Sequence, residues 1–290
     1  MTRTTSQVGL WLTDFDGTIK PHDPKEPLAV ADLAALKRLG AEGWVRAVVT
    51  GRSLFSFATA WEPGLELDWL IFSSGAGLCP WGALGPGPLL EAHSLKPLEA
   101  ESALKTALDL NFGFFAYLPP PDGHHFYYLK PPVRIPSGFD KRLKSFAAQS
   151  RPFPADYFDQ PPADRQILTQ LLLMIPEAEA VRAEAELARQ LPHLSRLDCA
   201  SPFSDNCRWL EVLPPGVSKG RAAAALGERL GLDRGQTVAT GNDHNDSDLL
   251  DWAGQAFVTQ DAPPDLLARH RSIVPAGQGG LAQAVAQVLE

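Results

Sequence analysis

Apolar positions along this chain fall into two textures. Up to residue 73, short continuous apolar runs alternate with helical spacings. Runs at 8–13, 45–50 and 69–73 predict strands. Between them, a helix starting near Pro27 places Leu33, Leu36 and Leu39 on one side and ends at Gly40 and Gly43, and a second helix spans 54–61. The same texture returns at Ser218, with helices at 220–230, 248–253, 264–270 and 281–289 and strands at 237–240, 256–259 and 272–274. Such alternation predicts parallel pairing through right-handed crossovers.

The middle of the chain reads differently. Glycine and proline thicken between Pro80 and Pro88, which marks an exit from the first layer. Helical spacings at 98–110, 139–148 and 177–190 then mix with strand-like runs at 126–129, 168–174, 195–199 and 208–213. The predicted fold class is therefore α/β, a Rossmann-like three-layer parallel-sheet core with an inserted α+β cap. Core segments are expected at 1–90 and 209–290, and the cap at 91–208.

Composition adds limits. At 290 residues the chain is long enough for two cores. A net charge of −8 argues against a broad nucleic-acid footprint. Three cysteines without CxxC spacing point to reduced thiols and a cytoplasmic setting. The strongest apolar run, 171–175, is too short to span a bilayer, so no membrane partner is expected. A monomer or small homo-oligomer fits these bounds.

Chemistry collects at the ends of predicted strands, where open parallel sheets bind ligands. Asp14 and Asp16, in Asp14-Phe15-Asp16-Gly17-Thr18, project from one side of the chain and repel unless a cation or shared proton intervenes. The pair is a metal site, a nucleophile and acid, or a solvated turn. Thr50 carries a hydroxyl, and Gly51 after it lets backbone amides approach an anion, although helix capping by Thr50 or Ser53 explains the same residues. Lys219, in the first turn after the expected N-cap, Ser218, opposes the helix dipole unless an anion faces it. The segment Gly241-Asn242-Asp243-His244-Asn245-Asp246-Ser247-Asp248 is rich in oxygen donors of the kind Mg²⁺ takes, and a solvated loop is the alternative.

Taken in order, DFDGT, strand-final Thr50, Lys219 and GNDHND resemble the haloacid dehalogenase superfamily of phosphohydrolases, with 211–220 and 239–246 most similar to its Cof-type sugar-phosphatase branch. The resemblance implies a phosphomonoester hydrolase acting through an aspartyl-phosphate on a small phosphorylated metabolite, a sugar phosphate foremost. It makes Asp14 the nucleophile, Asp16 the acid and base, and Thr50 and Lys219 the phosphoryl holders; Gly51, Arg52 and Asn245 join the substrate-binding set. It places Mg²⁺ among Asp14, Asp16, Asn242, Asp243 and Asp246. Asn242 stands where the family usually has aspartate, which shifts metal binding towards Asp243 or Asp246, and Ser74 stands where relatives often carry asparagine. Polar cap candidates are His124, His125, Arg134, Arg165 and Arg208. A phosphomutase and a weakly catalytic phosphate-binding protein are the rival readings.

Overall fold

The structure is a computed structural model that describes residues 8–23, 25–62, 64–131, 136–201 and 206–290. Its contacts divide the chain into two compact units, one of Met1–Arg52, Ser56–Glu91 and Ser218–Glu290, the other of Ser53–Phe55 and Ala92–Val217.

The first unit is built on a mixed sheet with a parallel centre. The strand Gly9–Thr13 lies in the middle, between Trp44–Val49 and Thr237–Gly241, with Leu12 opposite Ala47 on one side and Ala239 on the other. Trp69–Phe72 extends the sheet in parallel on the first flank, and Gln255–Thr259 and Arg271–Ile273 extend it on the second. Leu10, Trp11 and Leu12 are wholly buried, which explains an apolar run without alternation. The helices Lys219–Leu230 and Ser247–Trp252 bring Leu226, Leu249 and Leu250 onto Leu10 and Leu12. The helices Val30–Ala41 and Gly280–Leu289 pack on each other, joined where Asp32 accepts from the Ala282 N–H at 2.9 Å.

This topology places three chain segments at neighbouring strand ends: the residues after Thr13, after Val49 and after Thr240. The glycine- and proline-rich stretch 80–88, read as an exit from the first layer, still carries strand pairing, and the first unit runs to Glu91. Gly77–Gly82 turns back antiparallel on Trp69–Phe72, and Gly85–Pro86 pairs with it as a sheet edge, a position that tolerates proline and glycine.

The second unit is a six-stranded sheet ordered Ser195–Ala200, Cys207–Leu213, Gln170–Pro176, Phe114–Tyr117, Phe126–Leu129, Ser150–Pro152. Leu171, Leu173 and Ile175 face a core with Leu104 and Leu187 from the helices Pro97–Asp109 and Ala180–Gln190. Leu172 and Met174 face a second, aromatic core of Phe115, Phe126 and Phe139. Arg142 enters that aromatic core, its guanidinium 4.7 Å from the Trp209 ring, and burial pulls it down to about 10. The strand Phe114–Tyr117 was not expected; its four residues sit between glycine and proline and carry too little periodicity to register. The sequence boundary at 208/209 cuts through Cys207–Leu213, which pairs with Gln170–Pro176 in this sheet, and the chain re-enters the first unit at Ser218.

The charged cap candidates have structural partners. Arg165 is buried and donates to Glu101 and to the Gln160 and Phe158 carbonyls, tying a loop to helix Pro97–Asp109. Arg208 pairs with Asp198 at 2.9 Å. His125 is exposed, whereas burial and the charge of His125 hold His124 below its ordinary range. Arg134 lies outside the described residues. Among the described residues, no helix is long and apolar enough to cross a membrane.

Candidate active site

Asp14 follows directly on the central strand, and its N–H still donates to the Thr240 carbonyl at 2.9 Å. The ladder therefore fixes its backbone before any side-chain contact is made. Two residues later the chain must turn, and Gly17 does so at φ +80°. That backbone favours glycine, and a Cβ there would stand 2.3 Å from the end of the Asn242 side chain and have to displace it. Thr18 then donates its hydroxyl to Asp14 Oδ2 at 3.1 Å.

Lys219 is the electrostatic centre. Ser218 caps its helix by accepting from the Arg221 N–H, and the lysine side chain, 0% exposed, donates to Asp14 Oδ1 at 2.7 Å and to Asp246 Oδ1 at 2.5 Å. The helix-opening cation that looked unfavourable in the sequence thus faces two carboxylates. Burial pulls the ammonium down, but Asp14 and Asp246 outweigh it and hold the charge. The set of two carboxylates and one ammonium keeps one excess negative charge in a buried place. Burial first, and then the charge of Asp246, push the Asp14 carboxyl up to about 7 against the pull of Lys219.

Both oxygens of Asp246 are engaged. Besides Lys219 on Oδ1, its Oδ2 accepts from the Asn242 and Asp243 N–H groups at 2.9 and 3.2 Å. It shapes the loop and seats the lysine. Asp243 caps the following turn by accepting from the His244 N–H at 2.7 Å. Asn245 is half-buried on the same turn. Asp248 accepts from the Gly220 N–H at 2.8 Å, and a Cβ on Gly220 would stand 2.6 Å from the Asp248 carbonyl oxygen. We expect Gly220→Ala to destabilise the first unit by roughly 1–3 kcal/mol in urea unfolding, because the opposing atoms are backbone and cannot yield.

Asn242 occupies the gap between the acidic pair and this loop. The inner atom of its amide lies 3.1 Å from the Asp16 carbonyl oxygen, 3.3 Å from Asp14 Oδ2 and 3.2 Å from Thr18 Oγ1. With nitrogen at that corner the amide donates to all three; with oxygen there, it closes a triangle of oxygens on Asp14 Oδ2 and the Asp16 carbonyl. The two edges that meet at Asn242, 3.1 and 3.3 Å, are close to the ~3.0 Å between neighbouring oxygens in a Mg²⁺ octahedron with bonds near 2.1 Å. With the Asn242 oxygen turned to that corner, the buried excess charge and the oxygen donors fit a hard divalent cation. Among the described residues no group of three or more His, Cys, Asp and Glu side chains forms a metal cage, since two of these three donors are a carbonyl and an amide.

Arg52 differs from expectation. Assigned to substrate from the sequence, it makes a two-pronged pair with Asp16, Nε to Oδ2 at 2.6 Å and Nη2 to Oδ1 at 2.7 Å. Thr50 is buried and its Oγ1 accepts from the Arg52 N–H at 3.1 Å, the local bond expected of a capping residue. Gly51 beside it is exposed, and a Cβ there would meet only Ser74 Oγ, at 3.5 Å. The strand-end groups thus converge, while the Arg52–Asp16 pair and the seat that Asp246 gives Lys219 went unseen in the sequence.

The sequence profile of haloacid dehalogenase-like hydrolases matches residues 11–285. The chain is 28% identical over 265 residues to the HMP-PP phosphatase of Cronobacter sakazakii, covering 88% of this chain and 85% of that protein. It is 26% identical over 274 residues to the HMP-PP phosphatase of Citrobacter koseri, covering 90% and 88%. Among solved structures, a phosphatase of the haloalkanoate enzyme superfamily from Bacteroides thetaiotaomicron superposes with a TM-score of 0.74 at 16% identity, covering 99% of this chain and 97% of that one. A HAD subclass IIB sugar phosphatase superposes with a TM-score of 0.72 at 15% identity, covering 97% and 98%. The match to the family profile runs through both core segments and the inserted unit, and the chain belongs to the haloacid dehalogenase-like hydrolases.

Proposed function

We propose that this protein is a Mg²⁺-dependent phosphomonoester hydrolase that acts on a small phosphorylated metabolite through an aspartyl-phosphate at Asp14. The observation that carries this reading is the buried Lys219 shared by Asp14 and Asp246, with Asn242 set between Asp14 Oδ2 and the Asp16 carbonyl. The phosphatase names of the relatives support it, and so does the sugar phosphatase among the structural neighbours.

The two oxygens of Asp14 have different partners, which divides their work. Oδ2 faces Thr18 and Asn242, and Oδ1 faces Lys219. Oδ1 attacks phosphorus, the bond from phosphorus to the ester oxygen breaks, and Asp16 gives that oxygen a proton. In the second half Asp16 takes a proton from water, the water oxygen bonds to phosphorus, and the bond to Asp14 breaks to release phosphate. Lys219 and the Thr50 hydroxyl hold the phosphoryl oxygens, whose charge makes positioning and electrostatics the main demands. Asp14 Oδ2, the Asp16 carbonyl and Asn242 would hold Mg²⁺, which supplies charge neutralisation to the transferring group. Asp16 must leave Arg52 to carry a proton, so the observed pair belongs to a resting state.

A release assay over sugar phosphates, nucleotides and vitamin phosphates, with and without Mg²⁺, tests the proposal. Magnesium-dependent release from at least one ester is expected. Binding of phosphate esters with no release would favour the binding-protein reading, and bisphosphate-dependent isomerisation would favour a mutase.

Cation binding has a second readout in stability. The folded Asp14 value, about 7, lies above its ordinary 3.8, so the metal-free fold prefers the protonated form and loses stability as pH rises through that window. A cation needs the carboxylate and restores what is lost. We expect Mg²⁺ at a hundredfold over its Kd to stabilise the protein by about 2.7 kcal/mol. At a fixed Mg²⁺ concentration the gain in Tm should be larger near pH 8 than near pH 6, and a gain that shrinks with pH would count against the site.

A further inference from the structure

Between the Thr50–Arg52 segment and the helix that carries Lys219 lies a turn that the mechanism above does not use. Ser73 and Ser74 are consecutive non-glycine residues in the left-handed region, at φ +49° and +55°, and Gly75 follows at +102°. All three are buried at the end of strand Trp69–Phe72. Serine adopts this backbone at a penalty, and such conformations persist only where surroundings impose them.

The surroundings here are the two segments that hold the site. On one side the Ser73 N–H donates to the Arg52 carbonyl at 2.8 Å and the Ser74 N–H to the Thr50 carbonyl at 3.0 Å. On the other side Gly75 lies against the start of the lysine helix. A Cβ on Gly75 would stand 2.4 Å from the Ser218 carbonyl oxygen and 3.3 Å from the Ala222 Cβ. The turn is therefore bonded to the residues flanking Gly51 and pressed on the residue before Lys219.

We infer that the Ser73–Gly75 turn is a wedge that sets the spacing between the two cations of the site, with Ser74 a positioning residue that acts through its left-handed backbone. Seating Arg52 fixes where Asp16 rests, and seating Ser218 fixes where Lys219 meets Asp14. A relaxed turn would move both cations relative to the acidic pair, and displacement of that kind lowers the rate of the chemical step more than it weakens binding. The inference rests on the hydrolase reading for its kinetic half only.

Two variants separate backbone from hydroxyl. Ser74→Gly removes the hydroxyl and leaves the left-handed backbone free of strain, and Ser74→Thr keeps a hydroxyl but adds the β-branch that this backbone disfavours most. Crystal structures of both report the seating directly. Ser74→Gly should keep the Lys219–Asp14 and Arg52–Asp16 pairs, and Ser74→Thr should lengthen or lose at least one. In kinetics, Ser74→Thr should lower kcat about tenfold or more with KM changed by about twofold at most, whereas Ser74→Gly stays within about threefold of the parent chain. Equal behaviour of the two variants in geometry and in kcat overturns the inference, and a loss in Ser74→Gly with Ser74→Thr at the parent rate assigns the role to the hydroxyl. If the parent chain releases no phosphate from any ester, the hydrolase reading fails, and the structures of the two variants still decide the wedge.

Discussion

Asp14→Asn should abolish turnover and leave a folded protein. The amide keeps the shape of the carboxylate but has no nucleophilic oxygen, so phosphate release should fall by about 10⁴ or more. Stability should move the other way. Asp14 shares a buried site with Asp246 and a single ammonium, and the neutral amide removes the excess charge that burial disfavours. The metal-free variant should therefore melt at or above the parent temperature at neutral pH, and its gain on adding Mg²⁺ should shrink. Loss of activity together with a lower Tm would mean that the residue is chiefly structural. Release at the parent rate would remove Asp14 from the mechanism.

Lys219→Met carries the second large effect, and here activity and stability fall together. The side chain is wholly buried and its three hydrogens serve two carboxylates. Replacement leaves Asp14 and Asp246 facing each other with no cation between them. Breaking a buried pair by removing one partner destabilises by about 3–5 kcal/mol. Asp14, already raised by burial and by the charge of Asp246, would then lose the pull of Lys219 and titrate higher still, so the deficit of the variant should be smallest in mild acid and should grow as pH rises. Urea unfolding at several pH values measures this. A deficit independent of pH would show that lost packing, not stranded charge, is responsible.

What the sequence discloses and what it hides follow from the range of each interaction. The strands and the residues at their ends are local features. An apolar run without alternation, a glycine after two aspartates and a serine before a helix each act over a few positions, and the structure places them as expected. Ser218 caps the helix that Lys219 opens, and Asp14 and Thr50 follow neighbouring parallel strands that end together. Long-range pairings leave no such trace. Nothing near Arg52 indicates that its partner is Asp16, 36 positions earlier, and nothing near Asp246 shows that it seats a lysine 27 positions away. Asn242 shows the same limit. As a residue type it signalled a weakened metal site with Asp243 or Asp246 in compensation. In the fold Asp246 is engaged by Lys219 and two N–H groups, and Asn242 itself reaches Asp14 Oδ2 and the Asp16 carbonyl. In the second unit Phe114–Tyr117 escaped notice because four apolar residues fit a helix tail as well as a buried strand.

The stereochemical course at phosphorus tests most directly whether the phosphoryl group passes through Asp14. A phosphate ester made chiral at phosphorus with oxygen isotopes, turned over in isotopically distinct water, gives retention if two displacements occur and inversion if water attacks directly. Transfer to Asp14 and then to water predicts net retention, lost together with turnover in Asp14→Asn. Net inversion by the parent protein would contradict the covalent intermediate.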